Sequence, residues 1–218
     1  MTGGPRAVLD RMLGEGVVVA PDGTVHRLAP VAVGAPEGEA LSRRVREEEA
    51  RHTIEIGLGY GVSSLYICEA LLESAGGEAR HTAVDPHQAT RFANSGLAAL
   101  REAGVSALVD LHAEESQIVL PRLISEGRQF DLAFVDGDHR FDGVFLDLVH
   151  LGRLVRRGGI VFVDDYQLPA VVRAVSFFLT NLGWTVEESS NVDPDHHWVA
   201  LRTAADPRER AWDFFVEF

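Results

Sequence analysis

From residue 52 onward the chain alternates between two hydrophobic periods. Short, mostly apolar runs at 52–57, 79–84, 107–111, 130–135 and 159–163 read as strands. Stretches near 62–75, 88–103, 115–126, 141–155 and 168–182 read as helices. The stretch after the fourth strand places Phe141, Val144, Phe145, Leu148, Leu151 and Val155 at i, i+3, i+4 spacing, a core-facing stripe. Strands and helices joined by short connections predict an α/β fold with a doubly wound, mostly parallel sheet. Two further strands, 184–188 and 197–202, are separated only by a loop, Asn191-Val192-Asp193-Pro194-Asp195. They predict a hairpin, which makes the sheet seven-stranded with an antiparallel C-terminal strand. Before residue 52 the pattern gives a helix at 5–14, a loop at 30–38 and a charged helix at 38–51. Two apolar runs flank Pro21-Asp22-Gly23-Thr24 and predict a small hairpin outside the main sheet. The expected organisation is therefore an N-terminal segment (1–50) forming a cap or an oligomer contact, one α/β domain (51–203) and a C-terminal tail (204–218). The tail is aromatic, Trp212 to Phe218, and suits docking on the body or a contact in a homo-oligomer.

Composition narrows the partners. At 218 residues and 46% hydrophobic content the chain suffices for one well-buried α/β domain. No apolar run approaches the roughly 20 residues that span a bilayer, and residues 1–6 lack the form of a secretion signal. The net charge of −13 argues against nucleic acid, which needs clustered cations. Arg43, Arg44 and Arg46 are followed by Glu47-Glu48-Glu49 and read as a solvated helix face with paired charges. One cysteine, Cys68, on an apolar helix face reads as packing in a reducing compartment. These features point to a cytoplasmic protein acting on a small molecule, with no membrane partner.

The candidate chemistry lies at strand ends. Glu55-Ile56-Gly57-Leu58-Gly59-Tyr60-Gly61 follows the first strand and opens a helix, so its glycines allow a tight turn with close backbone approach to a ligand. The helix start favours a carboxylate or phosphate. Glu55 would repel a pyrophosphate and suit an ammonium or sulfonium. Asp85 closes the second strand 24 residues after Gly61, a spacing at which a carboxylate can accept ribose hydroxyls. After the third strand come His112, Glu114 and Ser116, with Ser116 best suited to bond an adenine. Asp136 ends the fourth strand, and Asp164 and Asp165 end the fifth. Three anions converging there would call for a divalent cation, Mg2+, Ca2+ or Mn2+, unless the acids only cap helices. His139, three residues past Asp136, can take a proton near neutral pH. His196 and His197, by the last strand, read as structural.

The run Glu55-x-Gly57-x-Gly59-x-Gly61-x-Ser63, then Val84-Asp85, Ser116 before Leu120-Pro121, Phe134 to His139, and Gly158 to Tyr166 resembles class I S-adenosylmethionine-dependent methyltransferases. It is most similar to the metal-dependent O-methyltransferases of small molecules, of the catechol and macrolide-sugar types. The resemblance covers about residues 50–203. It implies a cofactor site of Glu55, Gly57, Gly59, Gly61, Ser63, Asp85, Ser116 and Asp136, and magnesium on Asp136, Asp164 and Asp165. His139 stands where the catechol enzymes carry a lysine base and the macrolide-sugar enzymes a histidine. The implied reaction is Mg-assisted methylation of a small hydroxylated substrate, sugar or polyketide-like. Other readings are a metal-free methyltransferase acting on O or N, a nicotinamide-dependent oxidoreductase, and a binding protein without turnover.

Overall fold

The structure, a computed structural model, describes residues 3–190, 197–206 and 210–218; the 191–195 loop and His196 fall outside them. The chain divides into two compact units, Met1–Glu115 and Ser116–Phe218.

In the first unit, α1 (Pro5–Glu15), β1 (Val17–Val19), β2 (Val25–Arg27) and α2 (Ala35–Glu47) precede the strands β3 (His52–Ile56), β4 (Arg80–Val84) and β5 (Val109–His112). The helices α3 (Val62–Ser74) and α4 (Ser95–Glu102) link those strands. β1 and β2 form the expected antiparallel hairpin. The order is β5-β4-β3, all parallel, with Ile56 opposite Val84 and Val84 opposite His112. This register sets the glycine turn beside Asp85, because each follows directly on a paired strand end.

α4 starts seven residues later than the expected 88. Pro86 follows the strand, and Ala93 and Asn94 take left-handed φ values of 47° and 58°, which a helix cannot include. The Asn94 N–H donates to the Gln88 carbonyl at 2.6 Å, folding the segment back on itself. On α2 the paired charges are present: Arg43–Glu47 at 3.2 Å, Arg44–Glu47 at 3.0 Å and, to α3, Arg46–Glu73 at 2.5 Å. The opposite face packs on α3 through Leu41 and Val45, both fully buried. Cys68 is buried in α3, and burial pushes its thiol pKa up, so it is inert packing.

In the second unit, α5 (Ser116–Ser125), β6 (Phe130–Val135), α6 (Phe141–Leu154), β7 (Val155–Val163), α7 (Pro169–Asn181), β8 (Thr185–Ser189) and β9 (Val199–Arg202) follow in order. β6 and β7 are parallel with Val135 opposite Val163, so Asp136 and Asp164 leave adjacent strand ends. β9 runs antiparallel between β7 and β8, as the hairpin pattern predicts. β7 begins four residues before the expected strand. A register shift against β6 and the left-handed Gly158 hide its first half from a period-two pattern. On α6, Val144, Leu148 and Leu151 are buried, with Val155 just beyond it. Phe141 does not join them: it is 40% exposed and stacks on Phe145 at the surface. The tail docks on α7 through two hydrogen bonds between Asn181 and the Val216 backbone, and through Phe218 beneath Arg173. Trp212 stays 96% exposed. Among the described residues no helix is long and apolar enough to cross a membrane.

Gly38 on α2 lies flush against the Tyr66 ring of α3, and a Cβ there would fall inside the ring's van der Waals envelope. Helix propensity alone would favour alanine by about 1 kcal/mol. Overpacking outweighs it, so Gly38→Ala is expected to destabilise the protein by about 1–3 kcal/mol; the denaturant midpoint measures it.

Candidate active site

The cofactor candidates of the first unit form a hydrogen-bonded cradle. Gly57, Gly59 and Gly61 all have positive φ, 98°, 52° and 83°, which accounts for glycine at every second position. Asp85 is buried, and its carboxylate grips the turn. Oδ2 accepts from the Gly59 N–H at 2.9 Å and from Gln88 Nε2 at 2.8 Å, while Oδ1 accepts from the His87 N–H at 2.7 Å. The Asp85 N–H in turn donates to the His112 carbonyl at 3.0 Å, anchoring the acid to the end of β5.

Beneath the turn lies a second, fully buried network. Glu55 accepts from Ser63 Oγ at 2.9 Å and from Ser64 Oγ, and lies 3.2 Å from His81 Nε2. Thr53 Oγ1 meets His81 Nδ1 at 2.9 Å. Glu55 and Ser63 thus bond each other, and a ligand cation would sense Glu55 across the turn. Leaving this carboxylate unpaired would be costly; the two hydroxyls and the imidazole remove that cost and tie β3 and β4 to the start of α3. Thr53, Ser64 and His81 carry no motif signal. The alternation of strand residues, which puts Thr53 and His81 on the face of Glu55, is what would have marked those two; Ser64 lies in the first turn of α3.

From the N-terminal segment, His26 of β2 packs on Tyr60 of the turn at 5.6 Å between ring centroids, and Tyr60 meets Phe92 edge-on at 5.2 Å.

The second unit holds the acids. Asp136, His139 and Asp165 bring ligand atoms within 4.8 Å of one another. His139 Nε2 is 2.9 Å from Asp165 Oδ2 and 3.5 Å from Asp136 Oδ1. Asp164, expected with them, lies just outside: its Oδ1 accepts the Asp165 N–H at 2.6 Å, so it shapes the loop. That bond accompanies a left-handed Asp165, φ 55°, whose carboxylate also accepts from Gln167 Nε2 at 2.8 Å. Gln167 Oε1 in turn accepts the His197 N–H at 2.8 Å, pinning the loop to the start of β9. Ser116 begins α5, half-buried.

Asp136 and Asp165 offer carboxylate oxygens of the kind a hard divalent cation takes, and the His139 imidazole lies against both. Electrostatics show the strain that a cation would relieve. Burial first, then Asp164 and Asp165, push the Asp136 pKa up to about 8 against the opposing hydrogen bond from His139. Hydrogen bonds to Asp136 and then Asp165 push His139 up to about 10.

A protein family described as a methyltransferase domain matches residues 54–166, about half of the chain. The chain belongs to this family. Curated relatives include tapetum-specific methyltransferase 1 of Arabidopsis thaliana, 33% identical over 66% of this chain and 60% of its own length. Another is the caffeoyl-CoA O-methyltransferase of Stellaria longipes, 25% identical over 78% of this chain and 73% of its own length. The chain thus spans about three fifths of the Arabidopsis relative. Among solved structures, the O-methyltransferase TomG of Streptomyces achromogenes, involved in tomaymycin synthesis and bound to SAM, aligns over 92% of this chain and 89% of its own. Its TM-score is 0.67 at 27% identity. The resemblance to class I S-adenosylmethionine-dependent methyltransferases and the seven-stranded, mostly parallel α/β class are therefore borne out, and the nicotinamide reading is set aside.

This methyltransferase-family chain carries a pH signature in its acid cluster. His139 has a folded pKa above its ordinary 6.5, so its charged form stabilises the fold. That contribution is complete below about 6.5 and disappears as pH rises through about 10. Asp136, raised from 3.8 to about 8, loses stability in the same direction but over a lower window. With a chelator present, the melting temperature is expected to fall from pH 6.5 to 10, and His139→Gln should flatten the upper part of that fall.

Proposed function

We propose that the protein is an S-adenosylmethionine-dependent O-methyltransferase that acts on a hydroxyl of a small metabolite, assisted by a divalent cation. The observation carrying this reading is His139, whose Nε2 lies within 3.5 Å of both Asp165 and Asp136. A base candidate seated among cation-binding acids serves deprotonation of a hydroxyl. The O-methyltransferase names of the Stellaria and Streptomyces relatives support an oxygen acceptor. Their names, caffeoyl-CoA O-methyltransferase and an O-methyltransferase involved in tomaymycin synthesis, also support a small organic acceptor; the sugar or polyketide-like class rests on the sequence resemblance alone.

The glycine turn and Asp85 would seat the methionine and ribose parts of the cofactor, with Glu55 behind the turn favouring the sulfonium. Ser116 would bond the adenine. Asp136 and Asp165, with Asp164 adjoining, would hold the cation, magnesium being the best match to oxygen donors. When bound, a divalent ion lowers the pKa of a coordinated hydroxyl. His139, whose pKa is held up by its hydrogen bonds to Asp136 and Asp165, would in its neutral form accept at Nε2 the proton leaving the acceptor oxygen. S-adenosylmethionine, held at the turn, would supply an electrophilic methyl group whose sulfonium charge is lost on transfer to that oxygen, leaving S-adenosylhomocysteine. Little new charge has to be stabilised, so positioning supplies most of the acceleration.

His139→Gln is expected to lower kcat by about 100-fold or more while leaving cofactor affinity within about twofold. Asp165→Asn and Asp136→Asn should each abolish the response of activity to added Mg2+. Asp164→Asn, at a residue that bonds the loop backbone and reaches Asp136 only through its charge, should cost less than either. Steady-state kinetics with a panel of phenolic and sugar hydroxyls after chelation and readdition of Mg2+ test the set. Activity indifferent to chelation and to both substitutions would overturn the metal-assisted reading.

A further inference from the structure

Gln88 belongs to no motif, yet it is one of the most constrained polar residues of the first unit. It is buried, and its single amide nitrogen donates twice: to the Gly59 carbonyl at 2.7 Å and to Asp85 Oδ2 at 2.8 Å. Two acceptors on one side fix which end of the amide is nitrogen. Asp85 Oδ2 already receives the Gly59 N–H at 2.9 Å. The peptide groups on either side of Gly59 are thereby gripped together, one by a carboxylate and the other by an amide, and the amide also bonds the carboxylate.

Behind this ring stands Gly96, in the first turn of α4. A Cβ on Gly96 would lie 2.6 Å from the Gly59 carbonyl oxygen, 3.1 Å from Gln88 Oε1 and 3.3 Å from the Gly61 nitrogen. From the other side, a Cβ on Gly61 would lie 3.1 Å from the Gly96 carbonyl oxygen. Only a residue without a side chain lets α4 support the turn at this distance. The late start of α4 follows from the same arrangement, since the 86–94 segment must turn back for Gln88 to reach Gly59.

We infer that Gln88 is a positioning residue for the cofactor, holding Gly59 in its left-handed conformation against a backing surface that requires glycine at position 96. Gln88 acts through Gly59 and Asp85. Its loss should therefore appear in cofactor affinity and not in the chemical step. The inference rests on the reading that the glycine turn seats the cofactor.

The test uses the full chain and S-adenosylhomocysteine as the probe, by titration calorimetry. Gln88→Met keeps the side chain's length and removes both donors, and is expected to weaken binding about tenfold while kcat at saturating donor stays within about twofold. Gln88→Glu, which places a second carboxylate against Asp85, should weaken it further. In 15N-labelled protein the Gly59 amide should shift and exchange faster in Gln88→Met. Gly96→Ala displaces the same turn from behind, should weaken binding at least as much, and carries the test if Gln88→Met does not fold. Wild-type affinity in either folded variant, with the Gly59 amide unmoved, would overturn the inference. Gly61→Ala separates the two failures. If it loses the probe while the Gln88 and Gly96 variants keep it, this inference alone is wrong. If Gly61→Ala also binds normally, the turn does not seat the cofactor and both readings fall.

Discussion

Parallel pairing in strict register is the constraint from which the functional geometry follows. A parallel ladder brings the carboxyl ends of neighbouring strands level, and the next residue of each strand is the first beyond the paired residues. In the first unit that residue is Gly57 after β3 and Asp85 after β4. In the second it is Asp136 after β6 and Asp164 after β7. No long-range tuning is needed to juxtapose these groups, because hydrogen bonding of the strands has already done it. What remains is local: a left-handed residue here, a side-chain bond there, to aim each group.

The two units solve the problem of buried charge differently. Under the glycine turn, two serine hydroxyls and an imidazole surround the Glu55 carboxylate. In the acid cluster, by contrast, Asp136 and His139 have strongly displaced proton affinities and one partner ring between two carboxylates. Satisfied networks rigidify a structure, while crowded carboxylates with displaced proton affinities are the kind of grouping found at functional sites.

Much of this was legible in the residues themselves. Period-two and period-3.6 patterns located all seven strands of the sheet, and the short final loop foretold that β9 runs antiparallel. The glycine spacing signalled a backbone conformation, and three positive φ values are its physical cause. The less legible features arose where side chains replaced periodicity. Gln88 and Asn94 turn back a stretch that composition marks as helical, and the β6–β7 register shift conceals the first half of a nine-residue strand. Phe141 keeps helical spacing with its buried neighbours yet stands at the helix start, where Phe145 stacks on its ring and leaves it exposed. That Asp165 meets His139 while Asp164 accepts the Asp165 N–H was beyond sequence for a related reason. Adjacent residues differ only in backbone angle, and that angle is set by a hydrogen bond between them.

The left-handed Asp165 bears on how such an enzyme can diversify. At φ 55° a β-branched or bulky side chain would clash with its own backbone, while aspartate, asparagine and glycine are accommodated. The position can therefore trade one oxygen for a nitrogen, dropping a full negative charge from the cluster, with the loop conformation left intact. Few residues offer evolution so direct a control: exchanging one carboxylate oxygen for an amide nitrogen changes the charge set against His139 without repacking the surrounding fold.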